Sequence, residues 1–260
     1  MPIAESREFD VAGWRLARGA RRGQDAGVPL IAVNGIELYC ESHGTGTPLV
    51  VLGGLGLDVS EMDMLTGPLA ARFRVIAADN RGAGRSAKPA GPYTIEQMAA
   101  DVAGLMDRLE LASAHVLGLS LGGRIAMALA LAEPARVNRL ILVATSPRAA
   151  GARWLVRAGM MVADLPVLRG RHRQPRHAMK AQFDATTRFD ATDRLGQIAA
   201  PVLIVHGTSD HVAPVALARQ MHALIPGSRL VLIDGGHLAP LLTQHERLVS
   251  EVSAFLTESA

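Results

Sequence analysis

The 260-residue chain is 49% hydrophobic and 20% charged, which suits one globular domain with a sizeable core and excludes a disordered protein. Its formal net charge is only +3 and Cys40 is its single cysteine, so neither a nucleic-acid-binding face nor an intramolecular disulfide is expected. No stretch approaches the ~18 uninterrupted apolar residues that span a bilayer, and the opening residues hold no apolar run of signal-peptide length. The expectation is a soluble cytoplasmic protein with no membrane or nucleic-acid partner; its oligomeric state is not legible.

Residues 1–28 are polar, rich in Gly and Arg and poorly periodic, and read as a flexible arm that Trp14 could anchor. From Leu30 the pattern becomes regular. Leu30 to Val33 and Ile36 to Glu41 straddle Asn34-Gly35, a hairpin-turn signal that predicts an antiparallel start to the sheet. Apolar runs follow at Pro48 to Leu52, Phe73 to Ala78, His115 to Leu119, Arg139 to Val143, Val202 to His206 and Arg229 to Ile233. Continuous apolar strands are what a sheet covered on both faces requires. Helices are predicted between them at Thr94 to Leu109, Leu121 to Leu131, Pro214 to Leu224 and Pro240 to Leu256, with Thr94 and Gln97 forming a capping box. The alternation predicts an α/β fold with a mostly parallel eight-stranded sheet flanked by helices. Residues 29–146 and 201–260 form its core. Residues 147–200 break the alternation and read as a small helical cap.

Three positions carry the chemistry. Gly118-Leu-Ser120-Leu-Gly122 joins a predicted strand to a predicted helix. Small residues on either side let the serine sit on a sharp turn, with its hydroxyl near a helix N-terminus that favours developing negative charge. Asp210 follows the strand ending at His206, in a loop where a carboxylate can orient a histidine, although a turn-capping aspartate would look the same. His237 follows the last strand in Asp234-Gly-Gly-His237 and can act as the base. His206, His211 and His245 compete, but Ser120, Asp210 and His237 stand in the chain order of a hydrolase triad. For the oxyanion, Leu121 offers one backbone N–H. The Gly53-Gly-Leu-Gly56 loop offers another, from Leu55 or its neighbour Gly54. Gly54, Trp154, Met160 and Met161 are candidates for lining the substrate pocket.

These residues resemble the α/β-hydrolase superfamily over about Leu30 to Phe255. Asp79-Asn-Arg-Gly-Ala-Gly-Arg-Ser86 looks like its D-x-R-G-x-G-x-S loop, and Tyr93-Thr-Ile-Glu-Gln97 together with Leu55-Gly56 resembles small esterases and 3-oxoadipate enol-lactonases. Where many relatives have His-Gly in the oxyanion loop, this chain reads Gly53-Gly54, which keeps the backbone donors. The resemblance implies hydrolysis of a small-molecule ester or lactone through an acyl-enzyme, with no metal or organic cofactor. The same residues also suit thioester or C–C bond hydrolysis, perhydrolysis, acyl transfer, a non-hydrolytic tailoring reaction or a ligand-binding receptor. A basic run between Arg148 and Arg188, including Arg171 and Arg173, could draw an anionic substrate or could simply face solvent.

Overall fold

The computed structural model describes residues 30–150, 172 and 174–258. The arm through residue 28, Trp154, Met160, Met161, Arg171 and Arg173 all lie outside the described residues. The eight strands are β1 (Leu30–Val33), β2 (Ile36–His43), β3 (Pro48–Leu52), β4 (Arg74–Ala78), β5 (Ala114–Leu119), β6 (Val137–Val143), β7 (Val202–Gly207) and β8 (Arg229–Ile233). They form one sheet in the order β1-β2-β4-β3-β5-β6-β7-β8. The β1–β2 and β2–β4 pairs are antiparallel and all others are parallel. The described helices are α1 (Asp63–Leu69), α2 (Ile95–Arg108), α3 (Leu121–Ala132), α4 (Arg176–Arg188), α5 (Val215–Leu224), α6 (Ala239–Leu242) and α7 (His245–Thr257).

The apolar strands divide their side chains between two layers, because successive residues of a strand point to opposite faces. Val50, Leu52, Val116, Leu140, Leu142, Val202 and Ile204 pack into a core with α2, α3 and α5. Leu49, Val51, Leu117, Ile141, Val143, Leu203 and Val205 pack on the other face with α1 and α7. Cys40 is fully buried in the first layer. Burial, with help from the Glu41 and Asp79 charges, pushes its thiol up to about 12, as befits an apolar filler.

Two helical expectations change. The segment between β3 and β4, where no helix was expected, holds a 3₁₀ turn (Val59–Met62) running into α1. Asp58 caps the turn by accepting from Ser60 N at 2.9 Å, and Glu61 reaches back to Asp58 N at 2.9 Å. Gly67 and Pro68 inside α1 mask its helical pattern. The single helix expected over Pro240 to Leu256 is instead two. Thr243 and Gln244 both donate to the Ala239 carbonyl, which closes α6, and Gln244 leaves helical geometry before α7 starts. At α2, Thr94 accepts from Gln97 N at 3.0 Å, which is the forward bond of the expected capping box.

Between residues 147 and 200 the described part consists of α4, a 3₁₀ turn (Thr192–Gln197) and an isolated bridge between Arg148 and Asp190. The chain runs from β3 to β4 on one side of the sheet and later to β5 on the other. A crevice therefore opens beyond the carboxyl ends of β3 and β5, the usual place for a site in such sheets.

Candidate active site

Ser120 occupies that crevice, between the end of β5 and the first residue of α3. Its backbone is forced to φ 50°, ψ −109°, a conformation that costs an ordinary residue of order 1–3 kcal/mol. Neighbouring contacts hold it there. Ser120 N donates to the Val143 carbonyl at 2.9 Å, and Thr145 Oγ1 donates to the Ser120 carbonyl at 2.7 Å. A methyl on Gly118 would overlap the backbone of Gly122. One on Gly122 would overlap the Leu52 and Gly53 carbonyls, and one on Gly123 would meet the Thr145 side chain. The glycines thus let α3 start directly against β3 and β5.

Asp210 and His237 arrive on the loops after β7 and β8. His237 Nε2 lies 3.0 Å from Ser120 Oγ, and His237 Nδ1 lies 2.7 Å from Asp210 Oδ2. An ionised carboxylate can only accept, so the proton of His237 resides on Nδ1 and leaves Nε2 free to receive the serine proton. Asp210 Oδ1 accepts from the amides of Val212 and Ala213, both at 2.8 Å. Burial opposes its charge. Bonds from His206 and His237, the charge His237 carries when protonated and the Ala213 amide outweigh that burial and hold the carboxyl far below the ordinary carboxylate range.

Of the competing histidines, His206 joins the site by another route. It is completely buried, and its Nε2 donates to the Ala213 carbonyl at 2.6 Å while lying 3.3 Å from Asp210 Oδ2. The acid therefore sits between two imidazoles. The Nδ1 of His206 has no partner among the described residues. His211 is exposed, and His245 opens α7.

The loop after β3 faces Ser120. Gly54 lies close enough that a methyl on it would touch Ser120 Cβ at 3.5 Å, and Leu55 and Leu121 share a cavity with Ser120 and His237. Gly56 N donates to Gln182 Oε1 at 3.3 Å, and Leu57 N to the Gly54 carbonyl at 3.2 Å. Among the described residues the Leu55 and Leu121 amides have no such acceptor. Asn80 steadies the loop by donating to the Gly53 carbonyl at 2.9 Å. Asn80 belongs to the Asp79–Ser86 segment, whose other polar groups brace the scaffold. Asp79 accepts from Val59 N and Arg85 N, both at 2.7 Å, and Arg81 is held bidentately by Asp101 at 2.7 Å.

The cavity wall includes residues that sequence reasoning did not single out. They are Arg124, Thr145, Ser146, Phe183, Thr186 and Val212. Only Arg124 left a signal, as it stands one helical turn after Ser120 and so faces the same way. Among the described residues no group of three or more His, Cys, Asp or Glu side chains could hold a metal ion, and no helix is long and apolar enough to cross a membrane.

A family model described as the alpha/beta hydrolase fold matches residues 47–193 and 175–243. The chain is 29% identical over 231 residues to RutD of Azorhizobium caulinodans, whose name proposes a carbamate hydrolase; the match covers 77% of this chain and 87% of the relative. Among solved structures it resembles the enol-lactonase from Burkholderia xenovorans, with TM-score 0.79, 29% identity and coverage of 88% of this chain and 100% of that one. It also resembles a thermophilic esterase from Thermogutta terrifontis, with TM-score 0.76, 30% identity and coverage of 88% and 96%.

Proposed function

The chain belongs to the α/β-hydrolase family, and on that premise we propose that it hydrolyses carboxylic esters or lactones by two-step acyl transfer at Ser120. The observation that carries the reading is the unbroken chain from Asp210 through His237 to Ser120, at 2.7 and 3.0 Å. As Ser120 Oγ attacks the carbonyl carbon, its proton passes to His237 Nε2, and Asp210 stabilises the imidazolium. The carbonyl oxygen, now negative, is held by the Leu121 and Leu55 amides. The tetrahedral intermediate collapses, the C–O bond breaks, and His237 gives its proton to the departing alkoxide. Water then gives a proton to His237 while attacking the acyl-enzyme, which releases the acid and restores Ser120.

The nearness of Gly54 to Ser120 supports the second donor coming from this loop. The names of the enol-lactonase and esterase among its structural neighbours favour an oxygen ester as the bond cleaved. A panel of p-nitrophenyl esters of graded acyl length, with a lactone and an aryl carbamate, tests the reading. Turnover that disappears in Ser120→Ala, with fluorophosphonate labelling of wild type alone, is expected. No turnover across the panel together with no labelling would overturn it.

A further inference from the structure

The chain buries two guanidinium groups in different ways. Arg81 is 5% exposed, and its charge is matched by Asp101 through two bonds of 2.7 Å. Arg124 is 7% exposed, and among the described residues no carboxylate is bonded to it. Its Nε donates to the Ser146 carbonyl at 3.1 Å, and its Nη2 donates to Ser146 Oγ at 2.8 Å and to the Arg148 carbonyl at 3.1 Å. Its Nη1 donates to the Thr186 carbonyl. Every one of these acceptors is neutral, and they engage four of the five N–H donors a guanidinium carries. Burial pushes its pKa down to about 10, and the nearby charge that opposes the shift is that of Asp190.

A buried cation without a carboxylate partner is costly unless something else supplies the negative charge. Arg124 also lines the cavity that holds Ser120 and His237, whose remaining wall is largely apolar, with Leu55, Leu121, Ala144 and Phe183. A few well-placed polar groups in an otherwise apolar pocket are what fix a small ligand's orientation.

We propose that Arg124 is a specificity-determining residue, and that its guanidinium receives a carboxylate borne by the ester or lactone substrate. The inference rests on the hydrolase reading above, which names the bond cleaved; Arg124 names the charge of the molecule that carries it. The backbone bonds to Ser146, Arg148 and Thr186 hold the guanidinium in place, so its orientation is settled before substrate arrives. Such preorganisation strengthens a charge-assisted bond in a site that excludes water.

The test measures binding apart from turnover. Ser120→Ala protein, with Arg124 intact, is titrated calorimetrically with monomethyl glutarate and monomethyl adipate, and with the corresponding neutral dimethyl esters. At least one monoanion is expected to bind about tenfold or more tightly than its diester. Adding Arg124→Met should erase the preference, and Arg124→Lys should restore part of it. Equal affinity for monoanion and diester in the Arg124-intact protein, or no measurable binding of either monoanion, overturns the proposal. Because that comparison needs no change at Arg124, it stands even if Arg124→Met fails to fold. A preference that survives in folded Arg124→Met also overturns it. Anion preference without turnover of any ester by the Ser120-intact enzyme would sink the hydrolase reading and leave the anion site standing.

Discussion

Replacing Asp210 by Asn changes one atom and should cost nearly all the activity. Asp210 Oδ1 faces two backbone amides that can only donate, those of Val212 and Ala213 at 2.8 Å. The asparagine must therefore keep its carbonyl oxygen there and present its NH₂ where Oδ2 was. That position is 2.7 Å from His237 Nδ1 and 3.3 Å from His206 Nε2. His237 can tolerate a donor at that distance only by moving its own proton to Nε2, the atom 3.0 Å from Ser120 Oγ. The base then points a hydrogen at the nucleophile and cannot accept its proton. A wrong tautomer in this arrangement lowers kcat by roughly 10³- to 10⁴-fold. KM should change little, because the side chain of Asp210 is buried beneath His237 and does not line the cavity. His206 faces a smaller conflict, since it can keep its bond to the Ala213 carbonyl only by opposing the new NH₂. That adds about 1–2 kcal/mol of instability. Steady-state kinetics on the best ester of the panel, with a thermal melt of each protein, provides the assay. A folded Asp210→Asn enzyme within tenfold of wild-type kcat would refute the tautomer argument. So would an Asp210→Asn enzyme with kcat as low as expected whose His237 still carries its proton on Nδ1 by NMR.

Three further outcomes follow from the packing. Gly122→Ala sets a methyl against the carbonyls of Leu52 and Gly53, where no rotamer change can relieve it. A loss of about 3 kcal/mol, or a melting point lower by ~6–12 °C, is expected in calorimetry. Asp101→Ala leaves the Arg81 guanidinium buried without its partner and should cost about 3–5 kcal/mol in urea unfolding; a joint Arg81→Met, Asp101→Leu change should cost less than the single one. The third concerns pH and the Tyr39–Glu41–His43 cluster. The bond from His43, with those from Tyr39 and the Arg85 charge, outweighs burial and lowers Glu41 from 4.5 to about 2. The stability from this depressed carboxyl is therefore present above pH 4.5 and is lost as the pH falls toward 2. His43 moves up from 6.5, chiefly through its bond to Glu41, so its contribution is full below 6.5 and is lost as the pH rises through its raised value. The Glu41→Gln penalty, measured by urea unfolding, should peak between pH 4.5 and 6.5. It should stay under about 1 kcal/mol because His43 is half-exposed.

The strands were legible because a sheet covered on both faces leaves little room for polar residues, and all eight runs of the sequence became strands. The meeting of the three residues of the candidate site was legible for a different reason. Ser120, Asp210 and His237 each follow a strand end, and their order along the chain is informative even though 117 positions separate Ser120 from His237. What stayed hidden depends on contacts that no local pattern records. The helix Asp63–Leu69 contains Gly67 and Pro68 and gains its stability from tertiary packing of Leu65 and Leu69 against α7 and the sheet. His206 reads as a strand-end residue, and its approach to Asp210 exists only because the loop after β7 turns back toward that strand, bringing the Ala213 carbonyl to it. Asn80 lies 27 positions from the carbonyl it steadies. The pocket candidates Trp154, Met160 and Met161 lie outside the described residues, so the cavity wall is drawn from α3, α4 and the loops around them.

Stability and chemistry meet most closely at Gly122. The absence of its side chain lets α3 approach the end of β3, and that approach brings Ser120 and Leu121 beside the Gly54–Leu55 loop. Two backbone donors that belong to different elements can face one oxygen only if those elements touch without side chains between them. A larger residue at this contact would therefore do more than lower the melting point. It would separate the two donors by pushing α3, with Ser120 and Leu121 at its start, away from the Gly54–Leu55 loop. In Gly122→Ala, kcat should accordingly fall by more than any loss of folded protein explains, by about tenfold or more. Titration with a fluorophosphonate counts the competent sites and separates the two effects. Full wild-type kcat per labelled site would show that the close contact serves only folding.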